Sequence, residues 1–261
     1  MGPFTDQAPF AVRFGWGPDD LAALAPGGDV VVIVDVLRFT TAVSVAVSRG
    51  AHVLPHRWRD QAAARFAAER GALLGGRRED PDSPWSLSPT DLATIPPGTR
   101  LVLPSPNGAT LSAAALELGV SRLLAGCLRN AAAVGRAAAA RIAGGGHLVV
   151  IASGERWPDV YGDPHRGPLR PAVEDLLGAG AVIARTVQAA GLAREQLSAE
   201  ARAAMAAFLA AEPDLHAELR ASASGRELLA LGWDDDIAAA AQLDVDQAVP
   251  ALTDGAFTAS E

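Results

Sequence analysis

The chain is predicted to be an α/β protein, a three-layer α/β/α arrangement with a largely parallel or mixed sheet and a helical C-terminal part. Three observations carry this. Strand-like and helix-like segments alternate over the first 190 residues, the order that places helices on both faces of a sheet. Val30-Val31-Val32-Ile33-Val34 is apolar at every position, as a strand buried on both faces must be. From 198 to 243 the pattern is helical throughout. The expected organisation is a single α/β domain over 1–261 with a mostly helical segment at 198–243.

Strands are expected at 10–14, 29–34, 52–55, 72–74, 100–103, 122–125 and 147–152, each a short run rich in β-branched or other apolar residues. Helices fill the intervals, at 19–24, 40–48, 59–70, 108–118, 130–142 and 171–190. Many are rich in alanine, which favours helix and lets it lie close on a sheet. In the helix at 40–48 Thr40 is the expected N-cap, and Arg49-Gly50 ends it with glycine in the C-cap role. Gly178-Ala179-Gly180 lies inside a helical pattern without G-x-G-x-x-G spacing after a strand, so it reads as close helix packing. The helical segment at 198–243 breaks at Pro213 and near Gly225, and Asp234-Asp235-Asp236 opens its last helix, where a capping role outweighs a metal-binding one. Residues 247–252 are expected to return as one edge strand, and the last residues to fray.

Composition narrows the function. A formal charge of −8 argues against nucleic acid or an anionic membrane as partner, since both need a basic face. No apolar run approaches the roughly 20 residues that span a bilayer, and Met1-Gly2-Pro3-Phe4 does not open a signal peptide. One cysteine, Cys127, excludes an internal disulfide, and the cytoplasm is the expected location. All 22 basic residues are arginine, a bias that suits a GC-rich genome. Without lysine there is no Schiff base, no pyridoxal phosphate anchor and no Walker-type lysine. The five histidines show neither H-x-H nor H-E-x-x-H spacing, so a zinc enzyme is not expected.

Three strand ends lead into polar residues. Asp35-Val36-Leu37-Arg38-Phe39-Thr40-Thr41 delivers an acid, a guanidinium and two hydroxyls to a helix N-terminus, equipment for a metal and a phosphate. The bland alternative is that Asp35 caps a turn and Arg38 pairs with it. Ser105-Pro106-Asn107-Gly108 offers an amide and backbone N–H groups, or is only a turn. Ser153-Gly154-Glu155-Arg156 begins a loop that also holds Arg166 and Arg170 and leads to Glu174-Asp175, two acids that either join the site or merely complement a helix dipole. Cys127 reads as a small buried residue.

These segments, with Gly126-Cys127-Leu128-Arg129-Asn130-Ala131, Glu174-Asp175-Leu176-Leu177-Gly178-Ala179-Gly180 and Gly225-Arg226-Glu227-Leu228-Leu229-Ala230-Leu231-Gly232, occur in the order seen in 2-phosphosulfolactate phosphatases. The chain resembles that family over residues 10–252. The resemblance implies a three-layer α/β/α fold, Mg²⁺ and hydrolysis of the phosphate ester of phosphosulfolactate, a step toward coenzyme M. It also implies a site lined by Asp35, Arg38, Asn107, Glu174 and Asp175. The chain departs from the pattern at Gly75-Gly76-Arg77-Arg78, where the first acid of a Gly-Gly-Glu-Arg-type segment is replaced by Arg77, and only Ser88-Pro89 remains of the end of that stretch. Hydroxyls expected before Asn107 are altered to Ser105-Pro106, so reaction type transfers better than substrate.

The expected chemistry is cleavage of the phosphate ester of a small phosphorylated organic acid, with a homo-oligomer left open. Asp35, Glu174 and Asp175 would take Mg²⁺. Arg38 and the Thr40 and Thr41 amides would hold the phosphoryl group, Asn107 and Gly108 would position it or the organic acid, and Arg156 or Arg170 would meet a second anionic group. Asp35 and Arg38 are the expected catalytic pair. Asp35 is the nucleophile or, more in keeping with the missing Asp-x-Asp arrangement, a metal ligand. The rival reading is a non-catalytic protein that binds an anionic metabolite in the same cleft.

Overall fold

The computed structural model describes residues 5–80, 83–163 and 167–260. In chain order its elements are β1 (Val12–Trp16), α1 (Gly17–Leu24), β2 (Val30–Val34), α2 (Phe39–Ser48), β3 (His52–His56), α3 (Gln61–Glu69), β4 (Leu73–Leu74), α4 (Pro89–Leu92), β5 (Arg100–Pro104), α5 (Gly108–Glu117), β6 (Leu123–Gly126), α6 (Ala131–Ile142) and β7 (Leu148–Ala152). They continue with β8 (Glu155–Arg156), β9 (Leu169–Arg170), α7 (Val173–Ala190), α8 (Ala199–Ala211), α9 (Leu215–Ala221), α10 (Ala223–Ala230), α11 (Asp234–Ala240), β10 (Pro250–Thr253) and β11 (Ala256–Ala259). Every expected strand and helix of the first 190 residues is present, with ends shifted by a few residues. No helix is long and apolar enough to cross a membrane among the described residues.

Nine strands form one mixed, mostly parallel sheet in the order β1-β7-β2-β6-β10-β11-β3-β5-β4. The strand β2 is buried at every position and serves both faces. Val30, Val32 and Val34 enter one core with Val134, Val182 and Phe208, whereas Val31 and Ile33 enter the other with Phe39, Val43 and Leu103. An alternating strand could not have done this, because its polar residues would lie under helices with nothing to bond.

The C-terminal end departs from expectation. Instead of one edge strand and a frayed tail, β10 and β11 form a hairpin in the middle of the sheet, β10 antiparallel to β6 and β11 antiparallel to β3. The cause is local: Asp254 and Gly255 both take positive φ, 52° and 78°, so they make a two-residue turn of the type that Asp-Gly favours. Phe257 becomes fully buried and meets Phe39 edge-on at 6.3 Å. The expected break near Gly225 is present. The chain breaks at Ser222, whose hydroxyl accepts the Gly225 N–H at 2.9 Å and caps α10.

The glycines of α7 pack as their spacing implied. A Cβ on Gly178 would lie 2.5 Å from Val36 Cγ2, and one on Gly180 would lie 2.1 Å from the Ala204 carbonyl of α8. The second obstacle is backbone and cannot rotate away. Gly180→Ala is therefore expected to destabilise the protein by about 1–3 kcal/mol, read by urea unfolding.

Candidate active site

The ends of β2, β5 and β7 meet at Asp35. Its carboxylate is buried and accepts the Gly108 N–H at 2.8 Å and the Ser105 hydroxyl at 3.4 Å on one oxygen, and the Phe39 N–H at 3.2 Å on the other. Asp35 thus ties together the N-termini of α2 and α5, where the helix dipoles favour an anion. The expected cap is corrected here: α2 starts at Phe39, Thr40 sits inside its first turn, and no side chain of the N-cap residue Arg38 bonds the helix. Thr40 and Thr41 turn inward. The Thr40 hydroxyl donates to the Asp35 carbonyl at 2.9 Å, and that carbonyl also accepts the Thr40 N–H at 2.8 Å. The Thr41 hydroxyl donates to the Val36 carbonyl at 2.7 Å. These two residues brace the strand end, and the Gly108 amide is likewise engaged by Asp35.

Asp175 braces the site from below. Its two oxygens accept the Val36 N–H at 2.7 Å and the Gly154 N–H at 2.8 Å, joining the ends of β2 and β7. Glu174, its neighbour in the first turn of α7, is 2% exposed, and among the described residues its carboxylate has no hydrogen bond or ion pair. Glu155, just past β7, accepts the Asn107 side-chain amide at 3.0 Å. Glu155 is not among the residues the sequence assigns to the site; the signal for it is an acid two residues past Ser153 at a parallel strand's carboxyl end.

Four carboxyl groups therefore gather in a region largely shut off from water. Burial pushes the Asp175 carboxyl well up, and Asp35 and Glu174 add to this by repulsion. Asp35 is raised mainly by burial, against the Gly108 and Phe39 N–H groups, which favour its charged form. Burial, then the Asp35 charge, pushes Glu155 from its ordinary 4.5 up to about 7. Between those values the native state keeps a proton that the unfolded chain has released, so stability falls as pH rises through this window. Melting temperature measured in chelator is expected to decline from pH 4.5 to 7, and Glu155→Gln is expected to flatten part of that decline.

Above the acids lies a cavity of about 210 Å³ that Asp35, Arg38, Asn107, Glu155, Ser224 and Trp233 help to line. Arg38 does not pair with Asp35. Its guanidinium bonds Asp236 at 2.6 Å and lies 4.6 Å over the Trp233 ring. Asp236, expected as a helix cap, does stand in the first turn of α11 but is fully buried beneath the site. Ser224, at the start of α10, has a buried hydroxyl with no partner among the described residues. Arg156 and Arg170 lie on the β8–β9 hairpin beside this cavity and do not line it. Arg156 donates to the Gly167 carbonyl at 3.2 Å and sits in a narrow recess with Asn107 and Ser153, and Arg170 stacks 5.7 Å from the Trp157 ring. Arg166 is outside the described residues. Cys127 is buried with its thiol pushed up to about 11, in line with a packing role.

Among the described residues, no three His, Cys, Asp or Glu side chains form a ready-made metal cage. A hard octahedral ion that keeps water and takes one or two carboxylates does not need one. The donors present are oxygens, and the buried, unpartnered Glu174 beside Asp35 is where a cation would relieve the crowding of charge.

A family model described as 2-phosphosulpholactate phosphatase matches residues 19–255. A protein of Prochlorococcus marinus (strain MIT 9303) named probable 2-phosphosulfolactate phosphatase is 30% identical over 242 residues, covering 88% of this chain and 93% of that one. A protein of the same name from Parasynechococcus marenigrum (strain WH8102) is 31% identical over 234 residues, covering 85% of this chain and 88% of that one.

Proposed function

The chain belongs to the 2-phosphosulpholactate phosphatase family, and on that premise we propose that it hydrolyses the phosphate ester of a small anionic hydroxy acid, 2-phosphosulfolactate or a close analogue, with Mg²⁺. The observation that supports this best is the buried Glu174 carboxylate, unpartnered and close enough to Asp35, Glu155 and Asp175 to raise their pKa values. Asp35 and Glu174 would hold the ion, with Asp175 fixing the strand ends behind them. When bound, the ion would neutralise charge on the phosphoryl oxygens.

The remaining work falls to the chain itself. Arg38 is oriented by Asp236 and Trp233 on two sides, so its remaining N–H donors are held in place for phosphoryl oxygens at little entropic cost. Asn107 fixes the Glu155 carboxyl, which we assign to proton transfer at the leaving oxygen, since its pKa lies near neutrality. Leu228, 8% exposed, gives this side of the cavity an apolar wall, with the half-exposed Leu231 at its rim. A cytoplasmic location and a place on the way to coenzyme M belong to the same proposal.

The test is phosphate release from a set of phosphorylated hydroxy acids with and without MgCl₂. Turnover that depends on the ion supports the reading; thermal stabilisation by the esters without turnover sinks it. Mg²⁺ is also expected to raise the melting temperature more above pH 7 than near pH 4.5, because the Glu155 carboxyl, raised to about 7, gives up its proton across that range and leaves more negative charge near the ion.

A further inference from the structure

Beside the cavity above the acids lies a second one of about 230 Å³, lined by Arg38, Arg59, Arg77, Arg78 and Trp233 among others. Arg38, Leu87 and Trp233 line both, so the two spaces adjoin along one wall. Each is smaller than the roughly 300 Å³ at which pockets for drug-sized ligands begin, which suits two ends of one small molecule.

Glu79 also lines this recess and Asp91 lies 4.0 Å from Arg78, so much of its positive charge is offset. Asp236 lies 2.6 Å from Arg38 and 3.2 Å from Arg78, and Asp235 pairs with Arg78 as well. Arg59 pairs with Asp80 at 3.1 Å. Two features are left over. Arg77 makes no hydrogen bond or ion pair among the described residues, and Arg78 Nη1 is buried without a hydrogen bond, its 3.2 Å approach to Asp236 being out of line for one. Trp233 carries both Arg38, at 4.6 Å, and Arg78, at 5.7 Å, over its ring, which holds the two guanidinium groups rigid. Four guanidinium groups face the Glu79 carboxylate in this lining, and one of them, Arg77, has no ion pair among the described residues, so the recess can receive an oxyanion.

We propose that this recess is the subsite for the anionic group on the third carbon of the substrate, a sulfonate or a carboxylate in its place, beyond the phosphate and the C1 carboxylate, with Arg77 and Arg78 as its binding residues. The proposal rests on the phosphatase reading for the word substrate, but the binding it predicts can be measured without turnover. The phosphate ester would lie over Asp35 and the acid tail would reach past Trp233, so Arg38 would stand between two anions. This gives the second anion a place that Arg156 and Arg170, which do not line the cavity above Asp35, do not offer there.

Calorimetry with three dephosphorylated acids tests it: 3-sulfolactate, malate, which carries a carboxylate in place of the sulfonate, and lactate, which keeps the C1 carboxylate but has no anion on C3. The wild type is expected to bind sulfolactate or malate at least about tenfold more tightly than lactate, and the better of the two names the tail. Arg77→Ala, exposed and unpaired and so expected to fold, should erase most of that preference, whereas Arg77→Lys should restore part of it. Arg136→Ala, in a different cavity, should bind as the wild type does. Turnover of 2-phosphosulfolactate by Arg77→Ala should show a raised KM with kcat retained. Equal binding of the three acids by the wild type, or an unchanged preference in Arg77→Ala, overturns the subsite. Failure of every ester to release phosphate overturns the phosphatase reading instead, and the calorimetry still decides the subsite.

Discussion

Asp35→Asn is expected to lower Mg²⁺-dependent phosphate release by at least about 10²–10³-fold while the protein still folds. The fold should survive because an amide oxygen can still accept the Gly108 N–H, now at 2.8 Å, and the change removes one charge from a group of four buried acids. Against this, the amide would turn a donor toward the Phe39 N–H, now accepted at 3.2 Å, at a cost of about 1–3 kcal/mol. The two effects oppose each other, so the melting temperature should move little. Activity has no such compensation, since Asn brings no charge to the ion or to phosphorus. The same variant separates the two roles left open by the sequence. A metal ligand's loss abolishes Mg²⁺ binding in calorimetry, whereas a nucleophile's loss leaves Mg²⁺ binding in place and stops turnover alone. A folded Asp35→Asn protein with near-normal turnover would remove the basis of the proposed function.

Much of this site was legible because it lies at strand ends. An apolar run such as Val30–Val34 announces a strand covered on both faces, and the residue that follows must lie at the sheet's rim, so Asp35 could be located by counting and Asn107 by the loop that follows its strand. What could not be read was which of the polar groups there face the cavity and which are consumed by the backbone. The Thr40 and Gly108 amides look like phosphate ligands in one dimension, yet each satisfies an Asp35 oxygen at the crowded junction of α2 and α5. Nothing in a linear spacing reports such closure, because it depends on a helix start reached 73 residues later. Partners from the helical segment were illegible for the same reason: Asp236 meets Arg38 across 198 residues, and each alone has a local explanation. The hairpin differs. Its Asp254-Gly255 signal was present in the sequence, but a tail of small polar residues concealed that Phe257 closes a core.

Asp236→Ala is expected to be the most destabilising single change in the neighbourhood of the site, costing about 3–5 kcal/mol. Its carboxylate is fully buried, bonds Arg38 at 2.6 Å and Thr90 at 3.1 Å, and also accepts the Ser88 hydroxyl. Removing it leaves the Arg38 guanidinium, at 14% side-chain exposure, without its ion-pair partner, takes one of the acids that neutralise Arg78 and removes an acceptor from the Ser88 and Thr90 hydroxyls. Asp234 in the same triplet pairs with Arg220 at the surface, where both are more than a third exposed, so Asp234→Ala should cost about 1 kcal/mol or less. Chemical denaturation of the two variants therefore distinguishes an acid that only opens a helix from one that α11 carries into the interior to anchor Arg38. If both lose the same small amount, Asp236 is a cap and nothing more. If Asp236→Asn keeps the fold but raises KM more than it lowers kcat, the anchor matters to substrate through Arg38, as an arginine held between an acid and an indole requires.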